Sequence, residues 1–337
     1  MPSPLIQVKN LVKEYRTYDR REGISGAALD LFFREYKTLR AVDDVSFEIQ
    51  PGEIVGYIGA NGAGKSTTIK VLCGILYPTS GEVVVDGRIP WTQREEHVRN
   101  IGAVFGQRSQ LWWDLAAGES LRLLAHIYGV SDADYTRRLE EFDRVLGLKE
   151  FLKTPARKLS LGQKMRCELA ASLIHSPKII FLDEPTIGLD VTVKQSVREF
   201  VREINRERGV TVILTTHDLR DIEELCSRVL IIDKGKMVFH GTLEALRAKA
   251  LDAAQITFTL SHPLSKDWKS DGLPAQGVSW KAESNSLVAM LSKDSPPRAE
   301  VIRAVLDKFG AEIQDIAIDE PNIEHVVQQI YAAGDRK

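Results

Sequence analysis

The stretch Gly59-Ala60-Asn61-Gly62-Ala63-Gly64-Lys65-Ser66-Thr67 limits the fold of this chain more than any other part of it. It matches the phosphate-loop pattern G-x-x-x-x-G-K-[ST]. Glu53–Ile58, just before it, has the make-up of a short buried strand, and Thr67–Leu72 that of the first turns of a helix. The glycines let backbone N–H groups turn inward around an anion with no Cβ in the way. The new helix adds its own unpaired N–H groups and the positive end of its dipole. Lys65 supplies charge for β- and γ-phosphates, and the Ser66 hydroxyl suits Mg2+. The bland alternative is a glycine-rich turn with no ligand, and the flanking strand and helix weigh against it.

A second signal lies further along. Ile179-Ile180-Phe181-Leu182 is an apolar run that stops at Asp183-Glu184. A buried strand ending there puts both acids at the carboxyl edge of a parallel sheet, where ligands of α/β folds bind. Asp183 is then expected to hold Mg2+ through water, and Glu184 to polarise a water for attack on the γ-phosphate. Two solvated acids at a strand end are the alternative, and the pairing with the phosphate loop argues against them.

Composition narrows the class further. A chain of 337 residues makes one large or two ordinary domains, and 43% hydrophobic content is enough for a real core. With 45 basic against 47 acidic residues and a net charge of −2, no electrostatic nucleic-acid binder is indicated. Cys73, Cys167 and Cys226 are widely spaced and odd in number, which predicts neither disulfides nor a metal site and suits a reducing cytosol. No signal peptide is expected, and the longest apolar runs are strand-sized, whereas a membrane helix needs about 20 apolar residues. Any membrane part is therefore expected from another chain.

Periodicity predicts alternating strands and helices. Leu5–Asn10, Val42–Gln50, Gly81–Gly87, Ile101–Phe105, Lys178–Leu182, Val210–Thr215 and Arg228–Asp233 have strand character. Glu119–Tyr128, Asp132–Leu146, Leu161–His175, Val193–Arg208 and Leu219–Cys226 have helical period. This order predicts a parallel, doubly wound sheet. An amphipathic insertion is expected at about 24–40, with Leu29, Phe32, Phe33, Tyr36 and Leu39 on one helical face. Near Ala250 the composition shifts. Gln255–Leu260, Val278–Lys281, Ser286–Leu291 and Glu312–Ile318 look like strands, and Arg298–Phe309 and Asn322–Tyr331 like helices. The expected division is 1–250, with a helical part at about 108–158, followed by a small α+β domain at 251–337 that dimerises or regulates.

About twenty residues before the acids stands Leu159-Ser160-Leu161-Gly162-Gln163. Here the chain resembles the ATPase subunits of ABC transporters, whose pattern is Leu-Ser-Gly-Gly-Gln; Leu161 departs from it. Other family elements follow at family-like spacings. Tyr15 matches the aromatic that stacks on adenine, Gln107 the glutamine of the Q-loop, Gly188-Leu189-Asp190 the D-loop, and His217 the switch histidine. The resemblance covers about residues 4–245. It implies an α/β phosphate-loop NTPase with a RecA-like core, an antiparallel β-subdomain and a helical subdomain. It also implies ATP and Mg2+ as ligands, with Ser66, Gln107 and Asp183 at the metal and Glu184 and His217 catalytic. A second copy, or a homologous subunit, closes over each ATP, so that Ser160, Gly162 and Gln163 of one chain meet the γ-phosphate held by the other. A glycine in place of Leu161 would allow a positive φ or a close backbone approach that leucine does not easily permit.

Closer likeness, carried by Phe32–Val45, Phe105–Leu115, Leu159–Gln163 and Glu320–Glu324, is to ABC-2 type drug-exporter ATPases of the daunorubicin and viologen kinds. That implies separate ABC-2 type permease subunits, a peripheral place on the cytoplasmic face of the inner membrane, and export. An importer ATPase and a soluble ABC ATPase stand as alternatives. Trp112-Trp113 beside Gln107 could anchor a membrane partner or pack in the core. The insertion helix could pack on its own β-subdomain, touch the permease or lie on the membrane. The remaining histidines have no ligand spacing.

Overall fold

The computed structural model describes residues 3–18, 36–106, 108–216, 218–250, 255–265, 268–292, 294–319, 326, 327 and 331. The chain divides into two compact units, Met1–Gly241 and Thr242–Lys337. The division falls earlier than the expected 250/251. Residues 243–250 keep a helical pattern, so the change in composition trails the change in contacts.

The first unit holds two sheets. Strands β1 (Ile6–Tyr18), β2 (Tyr36–Ile49) and β4 (Ser80–Val85) form an antiparallel sheet in the order β2-β1-β4. Strands β3 (Ile54–Gly59), β5 (Ile101–Phe105), β6 (Ile179–Asp183), β7 (Thr211–Thr215), β8 (Arg228–Asp233) and β9 (Lys236–Thr242) form a second sheet in the order β5-β6-β7-β3-β8-β9. The pairs β5/β6, β6/β7, β7/β3 and β3/β8 are parallel. Ile179, Ile180, Phe181 and Leu182 are all 0% exposed, which is why β6 is an unbroken apolar run rather than an alternating one. Each such side chain contributes roughly 1.5–3 kcal/mol by leaving water. Ile6, Val45, Phe47 and Ile49 of the antiparallel sheet share a core with Tyr57, Phe181 and Leu230 of the parallel one.

The helices of this unit are α1 (Lys65–Leu72), α2 (Arg94–Asn100), α3 (Ala117–Ile127), α4 (Asp132–Leu146), α5 (Leu161–Leu173), α6 (Val191–Arg208) and α7 (Leu219–Leu225). The Ser131 hydroxyl caps α4 by accepting from Asp134 N, and Asp190 caps α6 by accepting from Val193 N. Phe142 of α4 meets Phe200 of α6 edge to face, with centroids 5.5 Å apart. The α2 helix and β9 have no counterpart in the sequence reading.

The expected insertion helix is corrected where it can be seen. Tyr36–Arg40 belong to β2 and pair antiparallel with residues 14–18 of β1. Tyr36 and Leu39 are 59% and 57% exposed strand side chains, not one face of a helix. Cross-strand pairing overrode a short apolar period. The rest of that expectation, residues 19–35, lies outside the described residues.

In the second unit, α8 (Leu243–Ala250) precedes an antiparallel sheet of β10 (Gln255–Leu260), β11 (Val278–Glu283), β12 (Ser286–Leu291) and β13 (Ile313–Asp319), in the order β11-β12-β10-β13. Ile256, Phe258, Leu287, Ala289 and Leu291 pack with Val301 and Val305 of α9 (Arg298–Phe309). The expected helix Asn322–Tyr331 lies largely outside the described residues; 326, 327 and 331 are helical.

Candidate nucleotide site

The phosphate loop is built as its residues require. Gly64 precedes α1 with φ 109°, and a Cβ there would collide with the Ala41 carbonyl oxygen, so only glycine lets the loop seat against β2. The Thr68 hydroxyl donates to Gly64 O at 3.1 Å and lies 3.1 Å from the Tyr57 hydroxyl, which ties the first turn of α1 to β3. Lys65 is 6% exposed, and its Nζ donates to Gly59 O at 2.6 Å and Ala60 O at 3.1 Å. Burial lowers the Lys65 pKa, while Glu184 and Asp183 pull it back up. Asn61 and Gly62 are exposed at the tip, Ala63 is buried, and Thr67 is half-buried on α1.

The acids sit beside this loop. Ser66 Oγ lies 3.3 Å from Asp183 Oδ1, although the two are far apart in sequence. The Thr215 hydroxyl donates to the same oxygen at 2.6 Å, and Gly106 N donates to the Asp183 carbonyl at 3.1 Å. Glu184 has φ 56°, the left-handed region that a residue with a Cβ enters at a cost of order 1 kcal/mol. Its N–H is held there by the Thr215 carbonyl at 3.0 Å and the Thr215 hydroxyl at 3.2 Å.

A cleft of about 800 Å³ unites these parts, lined among others by Asn61, Ser66, Phe105, Arg108, Asp183 and Glu184. A hydroxyl and a carboxylate oxygen in mutual contact are hard oxygen donors, the set that suits Mg2+. Gln107 and His217 lie outside the described residues. Their neighbours are firmly bonded: Arg108 N donates to Phe105 O at 2.8 Å, and Asp218 N to Thr216 Oγ1 at 2.9 Å.

The turn at 159–163 is a helix start. Ser160 caps α5 by accepting from Gln163 N at 3.2 Å, and Gln163 Oε1 accepts from Ser160 N at 3.0 Å, a reciprocal capping box. Leu161 is the first residue of α5 and has no positive φ, so this turn makes no backbone demand that leucine fails to meet. Its side chain is half exposed and lies against Gly188. No residue of this turn lines the cleft beside the chain's own phosphate loop.

Tyr15 is half-buried on β1 opposite Leu39, with Lys13 Nζ 5.3 Å from its ring centroid, and it does not line the cleft. Trp112 and Trp113 are 39% and 65% exposed, so they are not core residues. His97 and His175 serve structure, each with Nε2 2.9 Å from a backbone carbonyl, of Leu72 and Ile101 respectively. Sequence reasoning missed Thr215, which joins Asp183 to Glu184, and Glu168, which is 3% exposed and accepts from Ser109 Oγ and Gln110 N just past residue 107. The hydroxyls of Thr215-Thr216 at the end of an apolar strand were a visible signal. Glu168 inside a helix was not.

A phosphate loop after a buried parallel strand, with an Asp-Glu pair at the end of another strand of the same sheet, one strand removed, defines a phosphate-loop NTPase. A family model described as ABC transporter matches residues 42–187. The ABC transporter ATP-binding protein NatA of Bacillus subtilis is 34% identical over 210 residues, covering 62% of this chain and 85% of that protein. The linearmycin resistance ATP-binding protein LnrL of the same organism is 34% identical over 228 residues, covering 68% and 73%. The probable multidrug ABC transporter ATP-binding protein YbhF of Escherichia coli is 35% identical, but the match spans 41% of that longer protein. A dimeric ATP-binding cassette solved in a post-hydrolysis state with ADP and Pi has a TM-score of 0.59 at 27% identity, covering 71% of this chain and 98% of that one. The chain belongs to the ATP-binding proteins of ABC transporters, and its activity is ATP hydrolysis.

Proposed function

We propose that this chain is the ATPase subunit of an exporter, closing as a pair around two ATP molecules to drive separate ABC-2 type permease subunits. The observation that carries the catalytic half is Glu184, held in a left-handed conformation one residue past an Asp183 that touches Ser66. Glu184 accepts a proton from the attacking water, and Lys65 and the loop N–H groups hold the phosphates. Asp183, Ser66 and Gln107 hold Mg2+, which when bound neutralises charge on the β- and γ-phosphates. His217 hydrogen-bonds the γ-phosphate and orients the attack. Ser160, Gly162 and Gln163 complete the site of the second copy, and their absence from their own chain's cleft supports that reading. ATP favours the closed pair because that state alone completes its contacts, and hydrolysis removes them.

Export is supported by the names of two relatives, the linearmycin resistance protein LnrL and the bacitracin transport ATP-binding protein BcrA of Bacillus licheniformis. Among the described residues no helix is long and apolar enough to cross a membrane, which fits a peripheral subunit with its membrane part in other chains. Exposed Trp112 and Trp113 are suited to anchor that partner. Glu184→Gln is expected to bind ATP, trap a dimer on gel filtration and hardly turn over. Ser160→Arg is expected to keep ATP binding and lose ATPase. Wild-type turnover in Glu184→Gln would remove the base, and in Ser160→Arg the shared site.

A further inference from the structure

The paired part of β6 and β7 ends at Asp183 opposite Thr215. Beyond that pair the strands run into separate loops, one through Glu184 to the D-loop and the other through residue 217. A single buried carboxylate joins those loops. Asp221, on α7, is 0% exposed. Its Oδ2 accepts from Thr186 Oγ1 at 2.5 Å and from Thr216 Oγ1 at 3.1 Å. Its Oδ1 accepts from Arg198 Nε at 2.6 Å.

Both threonines are buried, at 3% and 2% exposure. Thr216 has one hydroxyl proton, which goes to Asp221, while its oxygen accepts from Asp218 N at 2.9 Å. The bonds therefore run one way, from Asp218 N through Thr216 to Asp221, and meet Thr186 there. Asp218 is in turn held by Lys194 Nζ at 2.7 Å. Residue 217 is thus flanked on both sides by fixed neighbours. Thr186 is separated from Glu184 by Pro185, whose ring limits φ. Neither loop can shift alone without leaving a buried acceptor or hydroxyl unpaired.

We infer that Asp221 is a positioning residue that fixes the loop after Glu184 against the loop through Thr216 and Asp218 by holding Thr186 and Thr216 on one oxygen. This rests on the roles given above to Glu184 and His217. Arg198 takes Asp221 Oδ1 from the opposite side, which leaves Oδ2 to accept from both threonines. The coupling runs through two hydroxyls, so cutting either one cuts the whole link.

The test uses the full-length chain and avoids changing Asp221, because buried Arg198 would lose its closest carboxylate and the pair itself would be disturbed. Thr186→Val and Thr216→Val each keep shape and the Arg198–Asp221 pair while deleting one hydroxyl. Each is expected to lower kcat for ATP about 10-fold with KM nearly unchanged. The double variant is expected to be no slower than the worse single one. Thr186→Ser and Thr216→Ser, which restore the hydroxyl, are expected to restore kcat. Wild-type kcat in both valine variants overturns the inference. So does a loss that multiplies in the double variant, or one that the serine variants fail to rescue and that follows a fall in Tm. Glu184→Gln is measured alongside: if it keeps wild-type turnover, the catalytic reading has failed; if it is inactive while both valine variants are normal, only the positioning role has.

Discussion

Gly162 lies so close to Val193 that a Cβ on Gly162 would stand 3.0 Å from Val193 Cγ2. The start of α5 and the start of α6 therefore touch through backbone on one side and a branched side chain on the other. Gly162→Val is expected to cost about 1–3 kcal/mol by overpacking this contact, and Val193→Ala in the same chain to recover part of it. Urea unfolding of the three variants against wild type measures both. ATPase should fall with the single change, because the capping box of Ser160 and Gln163 sits on the displaced turn.

Thr215 is fully buried and serves both acids, donating to Asp183 Oδ1 and accepting from Glu184 N. Thr215→Val is expected to raise the Mg2+ concentration for half-maximal ATPase about 10-fold, a typical effect of losing a group that orients a metal ligand. Thr215→Ser should restore it. A Mg2+ titration at saturating ATP reads the difference.

Glu168 of α5 holds the segment that follows residue 107, accepting from Ser109 Oγ and from Gln110 N at 3.0 Å. Burial raises the Glu168 pKa, and the bonds from Ser109 and Gln110 lower it again. Glu168→Ala removes the buried carboxylate that accepts both bonds and is expected to cost about 1–2 kcal/mol in urea unfolding. Glu168→Gln keeps one acceptor oxygen and should cost less.

His175 stacks on Tyr128 with centroids 4.0 Å apart, and its Nδ1 is buried with no hydrogen-bond partner among the described residues. Burial pushes its pKa down to about 4, against the backbone bond to Ile101 that favours the charged form. The ring is neutral in the folded chain and titrates near 6.5 when unfolded. Its contribution is complete above the unfolded value and is lost as pH falls from there towards the folded one. Between pH 7 and pH 5 the loss is about 2 kcal/mol. Urea unfolding at the two pH values should show this loss in wild type and a smaller one in His175→Phe, which keeps the stacked ring without the proton site.

Much of the fold was legible because its signals are local. The run Ile179–Leu182 is fully buried and ends at its acids, and Asp132–Leu146 and Arg298–Phe309 are helices with the predicted bounds. The helix-start role of Ser160 follows from a serine three residues before a glutamine. Failures came where a long-range partner decides. Tyr36–Arg40 have an apolar period that suits a helix, but residues 14–18 of β1 lie alongside and take their backbone groups. Asp190, expected in the D-loop, also caps α6, a role its position before a helical period could have disclosed.

The residue order by itself determined the phosphate loop, the strand that ends in Asp183 and Glu184, and the capped turn at Ser160, because each depends on neighbours a few positions away. Only the tertiary structure decided that Thr215 would serve both acids, that Asp221 would join Thr186 to Thr216, and that Leu161 would rest on Gly188 in ordinary helical backbone. Those contacts depend on which strands lie side by side in the sheet and on polar groups that must find partners once buried, and no local spacing encodes either.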